Sequence, residues 1–196
     1  FIMVTKEERK ELKSLINEAM DASFSGWNFS YLDKFGGKPE FPCPWDYTAQ
    51  VKHYLKNANS LLDMGTGGGE YLSTLKPLPA KTVATEAYKP NVIIAKNKLE
   101  PLGIQVVETS DGQQEDSKLP FADSSFELVI NRHESYDSRE IYRILKPGGI
   151  FITQQVGNRD FEILRTIFGV LADESEKFEW KLETAVNHLN KSGLNI

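Results

Sequence analysis

Apolar and polar positions along this chain alternate in two rhythms, one suited to buried strands and one to helices. The clearest example starts at Leu61-Leu62-Asp63-Met64, a short apolar run that enters the glycine cluster Gly65-Thr66-Gly67-Gly68-Gly69. Helical spacing resumes at Leu72 and Leu75, so the stretch predicts strand, tight turn, helix. A second strand over 82–86 ends in an acid, Glu86, and Pro90 opens a helix with Val92, Ile93 and Ala95 inward. That helix halts near Pro101 and Gly103, and 104–109 reads as a third strand. After a polar loop over 110–118, the run 126–130 reads as a buried fourth strand. A helix then ends at Lys146-Pro147-Gly148-Gly149, and a fifth strand starts at Ile150. Strands that alternate with helices predict an α/β protein with a parallel sheet.

The flanks have other textures. Thr5 is a candidate N-cap, with Glu7 and Glu8 in the first turn of a helix over 5–23. Leu12, Leu15, Ile16, Ala19 and Met20 give that helix an apolar stripe suited to packing. Residues 24–47 are dense in aromatics and broken by Gly and Pro, which predicts an irregular lid or a wall that covers one side of the core. Trp45-Asp46-Tyr47 opens the next helix, with Val51, Tyr54 and Leu55 inward. The domain reading is an N-terminal helical and aromatic arm over 1–57, attached to one main domain over 58–196. In the tail, Asp160 is a candidate cap for a helix carrying Phe161, Ile163, Leu164, Ile167 and Phe168. A further helix over 179–191 is capped by Gly193, and Leu194-Asn195-Ile196 reads as the opening of a sixth strand.

Composition narrows the class. The 196 residues are 40% hydrophobic and 26% charged, ordinary for one soluble domain. A net charge of −5 argues against a nucleic-acid surface, which needs concentrated Lys and Arg. The one cysteine, Cys43, sits between prolines with nothing nearby to activate it, so it reads as structural. A lone cysteine also suits a reducing, cytoplasmic compartment. No run approaches the length of a membrane span, and no metal is expected.

The glycine cluster carries the chemistry. Glycines accept positive φ and let a ligand approach the backbone, while free amides opening the next helix give a mildly positive rim. A dinucleotide turn requires Gly-x-Gly-x-x-Gly, and Glu70 breaks that pattern at the third position. The pattern that does fit is acid-x-Gly-x-Gly, formed by Asp63, Gly65 and Gly67. It resembles motif I of the class I S-adenosylmethionine-dependent methyltransferases; the plain alternative is a turn that binds nothing. Glu86 lies 21 residues after Gly65, where a carboxylate at the end of the neighbouring strand can accept ribose hydroxyls.

Leu119-Pro120-Phe121, then Ser125-Phe126-Glu127-Leu128-Val129, then Ile144-Leu145-Lys146-Pro147-Gly148-Gly149 follow in order. With the glycine turn they resemble the small-molecule methyltransferase domain family, near the ubiquinone-biosynthesis methyltransferases, over residues 60–156. The resemblance implies a Rossmann-like, doubly wound, mostly parallel sheet, with strands one and four adjacent. It also implies a closing C-terminal strand hairpin that is incomplete within this sequence. S-adenosyl-L-methionine is the implied cofactor. Gly65, Thr66 and Gly67 would touch its methionine part and ribose, and Asp63 would orient its ammonium group. Glu86 would take the ribose hydroxyls and Ala87 would pack on the adenine. Asp111 with Gly112 is preferred over Glu115 for the adenine edge, and Asn131 would offer its carbonyl to the methionine amine.

Methyl transfer from a sulfonium is mainly a matter of alignment, and a base is needed only when the acceptor must lose a proton. His133 is the base candidate, because an imidazole titrates near neutrality. Arg132, Gln154 and Trp45 are the candidate acceptor contacts, with Gln155 beside them. The same residues could equally brace the loop after the fourth strand. The expected activity is methylation of a small-molecule acceptor. The alternatives are RNA or protein methylation, a non-catalytic S-adenosylmethionine-binding protein and, disfavoured by Glu70, a nicotinamide oxidoreductase.

Overall fold

The computed structural model describes residues 5–22, 30–36, 43–110, 118–157 and 181–196. Asp111, Gly112 and Glu115, much of the aromatic stretch, and the expected Asp160-capped helix lie outside the described residues. Two units divide between Pro42 and Cys43.

In the first unit, helix α1 spans Lys6–Asp21 and opens on a reciprocal cap. The Glu8 amide donates to the Thr5 hydroxyl at 3.2 Å, and the Thr5 amide donates to the Glu8 carboxylate at 2.7 Å. Leu12, Leu15, Ile16 and Met20 do form a stripe, yet no residue of α1 is buried. A short 3-10 helix, Ser30–Phe35, follows.

The second unit is built on a five-stranded parallel sheet. Its strands are β1 (Ser60–Met64), β2 (Lys81–Glu86), β3 (Gln105–Glu108), β4 (Phe126–Arg132) and β5 (Leu145–Gln154), in the order β3-β2-β1-β4-β5. The chain winds outward from β1 to β3 and then crosses back to β4, so the order reverses between β1 and β4. Among the described residues, its helices are α2 (Tyr47–Leu55), α3 (Glu70–Thr74), α4 (Lys89–Leu99), α5 (Ser138–Ile144) and α6 (Leu182–Lys191). Leu61 and Leu62 are adjacent in sequence and fully buried, yet they serve opposite faces, because side chains alternate along a strand. Leu61 joins Val51, Leu55, Leu72, Leu99 and Leu128 on one side of the sheet. Leu62 joins Val83, Phe126, Val129, Ile141 and Ile144 on the other. Each such side chain contributes about 1.5–3 kcal/mol by leaving water.

Two motifs have structural explanations. Leu119-Pro120-Phe121 is tied to α5: the Leu119 amide donates to Glu140 at 2.8 Å, and Arg143 donates to the carbonyls of Phe121 at 2.7 Å and Leu119 at 3.0 Å. Lys146-Pro147-Gly148-Gly149 sits inside β5 rather than ahead of it. Leu145 already pairs with Phe126, and the next pair is Leu128 with Ile150, so the four residues bulge outward. Gly148, at φ +77°, permits the bend. Leu194–Ile196, expected to open a strand, follow α6 without strand pairing. Among the described residues, β5 pairs with β4 alone.

Candidate active site

The turn after β1 is fixed by its neighbours on both sides. Gly65 and Gly67 take φ +64° and +63°, conformations that side chains resist. The Thr66 amide donates to the Thr85 carbonyl at 2.9 Å, and the Gly67 amide donates to the Glu86 carboxylate at 2.7 Å. Glu86 also accepts from the amides of Ala87 at 3.0 Å and Tyr88 at 2.8 Å. The Thr66 hydroxyl donates to Asp63 at 2.8 Å. Burial pushes the Asp63 carboxyl up to about 7, a rise the Thr66 hydroxyl and the Arg132 charge oppose and Glu86 adds to. Helix α3 has only five residues, so the expected positive rim rests on the turn itself rather than on a long helix dipole.

The loop after β4 faces this turn, and its side chains diverge. Arg132 lies over the rings of Tyr47, at 5.5 Å, and Tyr71, at 5.1 Å, on the α2 and α3 side. His133 is exposed at φ +64°, with its amide donating to the Gln154 carbonyl at 3.0 Å. Glu134 turns to the other side and covers Gly65: a Cβ placed on that glycine would stand 2.5 Å from the Glu134 Cβ and 2.7 Å from its Oε2. Burial, then the nearby Glu86 charge, raises the Glu134 carboxyl above its ordinary value. Gln155 braces the loop, donating from Nε2 to Asn131 Oδ1 at 2.7 Å and to the Glu134 carbonyl at 3.0 Å. The Asn131 backbone carbonyl accepts from the Tyr47 hydroxyl at 3.2 Å, and its Nδ2 is buried without a partner.

A cavity of about 660 Å³ opens at the carboxyl ends of β1, β2 and β3, within the roughly 300–1,000 Å³ usual for small-molecule sites. Gly65, Glu86, Ala87, Leu119, Glu134 and Tyr136 are among its walls. Of the residues singled out from the sequence, the structure thus brings Gly65, Glu86 and Ala87 to one cavity. Asp63, Thr66 and Asn131 stand buried behind it. Trp45 and Gln154 meet elsewhere: the indole Nε1 donates to Gln154 Oε1 at 3.1 Å, on the wall of a groove of about 1,250 Å³ along β5 and α6. The sequence places Glu134 in the segment 131–135 expected to face the transferable methyl but gives it no role of its own; its one signal is a charge in the loop after the fourth strand.

A parallel sheet of this order, with an acid-x-Gly-x-Gly turn after β1 and an acid closing β2, is the architecture of a class I methyltransferase. Residues 62–153 match the family described as methyltransferase domain. The matched stretch is a methyltransferase domain, and the fold is that of the class I S-adenosylmethionine-dependent methyltransferases.

It is 24% identical over 172 residues to the ubiquinone/menaquinone biosynthesis C-methyltransferase UbiE of Pseudoalteromonas translucida, with 76% of this chain and 68% of that protein covered. A putative methyltransferase of Bacillus halodurans has a similar structure, with TM-score 0.55, 21% identity, and 74% of this chain and 66% of that one covered. So has a possible histamine N-methyltransferase of Thermotoga maritima, with TM-score 0.53, 21% identity, and 76% and 70% covered. The chain therefore spans about two thirds of the length of these relatives. The family and fold imply S-adenosylmethionine as methyl donor. Among the described residues, no helix is long and apolar enough to cross a membrane.

Proposed function

We propose that the chain moves a methyl group from S-adenosylmethionine to a small-molecule acceptor by direct displacement. The observation that carries this reading is the glycine turn locked between Thr85 and Glu86 at the mouth of the cavity. A side chain at Gly65 would collide with Glu134, so glycine there lets that carboxylate pack against the turn at the cavity wall.

Each residue then has a task. Gly65, Thr66 and Gly67 present backbone to the methionine part and ribose. Glu86, on the cavity lining, is anchored by three amides, two on Oε1 and one on Oε2, which leaves an acceptor site on Oε2 for a ribose hydroxyl. Ala87 offers a small apolar surface to the adenine, with Asp111 and Gly112 assigned to the adenine edge. Asp63 balances the ammonium end from behind the turn. Both oxygens of Asn131 are engaged by Tyr47 and Gln155, so the group it has left to offer is the Nδ2 donor. That donor suits the methionine carboxylate better than the amine.

When bound, the cofactor supplies an activated methyl on a sulfonium, so the protein's work is mainly orientation, worth about 7–11 kcal/mol in favourable cases. Arg132, held over two tyrosine rings, offers a fixed cation to an acidic acceptor. Trp45 and Gln154 are proposed as further acceptor contacts, and His133 as the base where the acceptor must lose a proton. The net charge of −5 weighs against RNA as the acceptor. Calorimetric titration with S-adenosylmethionine and S-adenosylhomocysteine tests the donor half. Heat with both is expected, and none with either removes the reading. Mass spectrometry of metabolites that gain a methyl group tests the acceptor half; methyl label recovered only in RNA or protein would overturn it.

A further inference from the structure

Glu86 and Glu134 reach the same cavity wall with unequal support. Glu86 accepts three backbone amides and is 5% exposed. Among the described residues, Glu134 accepts only from its own neighbour, the Ser135 amide at 3.2 Å and hydroxyl at 3.3 Å. Of the other charged groups that line the cavity, Arg139 pairs with Asp137 at 2.7 Å and Glu140 with Arg143 at 2.7 Å, while Glu108 and Lys118 stand on the same lining and the Lys118 charge acts on Glu140. Among the described residues, no Lys or Arg forms an ion pair with Glu134. A half-buried carboxylate beside a second acid thus lines the cavity with no ion pair among the described residues. Like charges in a medium less polar than water repel strongly, and a cation placed between them relieves that repulsion. Its position over Gly65 puts this charge at the glycine proposed to seat the methionine part of the donor.

We propose that Glu134 is the residue by which this protein distinguishes the positively charged sulfonium of S-adenosylmethionine from the neutral thioether of S-adenosylhomocysteine. The inference rests on the reading of the cavity as the donor site. Glu134 attracts the charged donor and has no such attraction for the product, so it favours loading over product retention. It acts at long range through charge and needs no hydrogen bond to the sulfur. The neighbouring Glu86, turned toward backbone amides, leaves this task to Glu134.

The test is calorimetric titration of the full chain with both ligands, for the wild type, Glu134→Gln and Glu134→Asp. Glutamine keeps the length and an oxygen for the Ser135 bonds but removes the charge. Its affinity for S-adenosylmethionine should fall about tenfold, while that for S-adenosylhomocysteine stays within about twofold. Retained product binding also shows that the variant is folded. Aspartate keeps the charge and should keep the preference for the sulfonium. Equal changes for both ligands in Glu134→Gln, or no change in either, overturn the proposal. A wild-type chain that binds neither ligand overturns the donor site instead, so the two failures are distinguishable.

Discussion

The turn after β1 and the loop after β4 meet across Gly65, yet they are built by opposite means. In the turn, backbone conformation does the work: two positive-φ glycines, amides donated to Thr85 and Glu86, and a hydroxyl from Thr66 to Asp63, three residues back. In the loop, backbone conformation distributes side chains. Arg132 goes to one side, Glu134 to the other, and His133 between them is exposed. The loop is held from far away in sequence, by Gln154 and Gln155 at the end of β5. One region therefore offers shape and amides, and the other offers charge. Substitutions that attack shape should abolish binding, whereas those that attack charge should change which ligand is preferred.

The largest effect should come from Gly65→Val. The residue sits at φ +64°, and a side chain there would collide with Glu134, so calorimetry should find no measurable cofactor binding. Next is Asp63→Asn. An unfolded Asp ionises near 3.8 and this one near 7, so between those values the folded chain holds a proton that the unfolded chain has lost. Stability from this group is fully present below about pH 4, falls as pH rises toward 7 and is then level, a change on the order of 4 kcal/mol. The difference in melting temperature between Asp63→Asn and wild type should therefore grow in the variant's favour from pH 4 to 7. A constant difference would remove the buried acid from the account.

Smaller effects separate the two regions further. Glu86→Ala strips the acceptor from three amides and should weaken cofactor binding by about 1.5–3 kcal/mol, read as a dissociation constant. An unchanged constant would take Glu86 out of the site. Gln155→Ala should loosen the loop but not the turn, with about 1 kcal/mol lost in thermal unfolding. Hydrogen exchange should increase at residues 131–135 and stay unaltered at 65–69; faster exchange in the turn would show that the regions are one mechanical unit. Smallest is His133→Ala, which should leave cofactor affinity within about twofold because the ring stands outside the cavity lining. Slower turnover in that variant would support the imidazole as base, and full activity would end its candidacy.

What the sequence alone determined is the part of the site made by consecutive residues. Apolar runs of strand length, a glycine cluster after an acid and a carboxylate closing the next strand dictated β1, the turn, β2 and the place of Glu86, because those geometries are set by local φ and side-chain size. Tertiary structure decided the rest. His133 and Glu134 are adjacent and equally able to do chemistry. Only the pairing of the loop with the end of β5, together with the positive φ at His133, sends the carboxylate to Gly65 and leaves the imidazole exposed. Trp45 likewise meets Gln154 across 109 positions, in a groove distinct from the cavity at Gly65. A one-residue change of register or one left-handed residue reverses which side chain faces a cavity, and no local pattern records that choice.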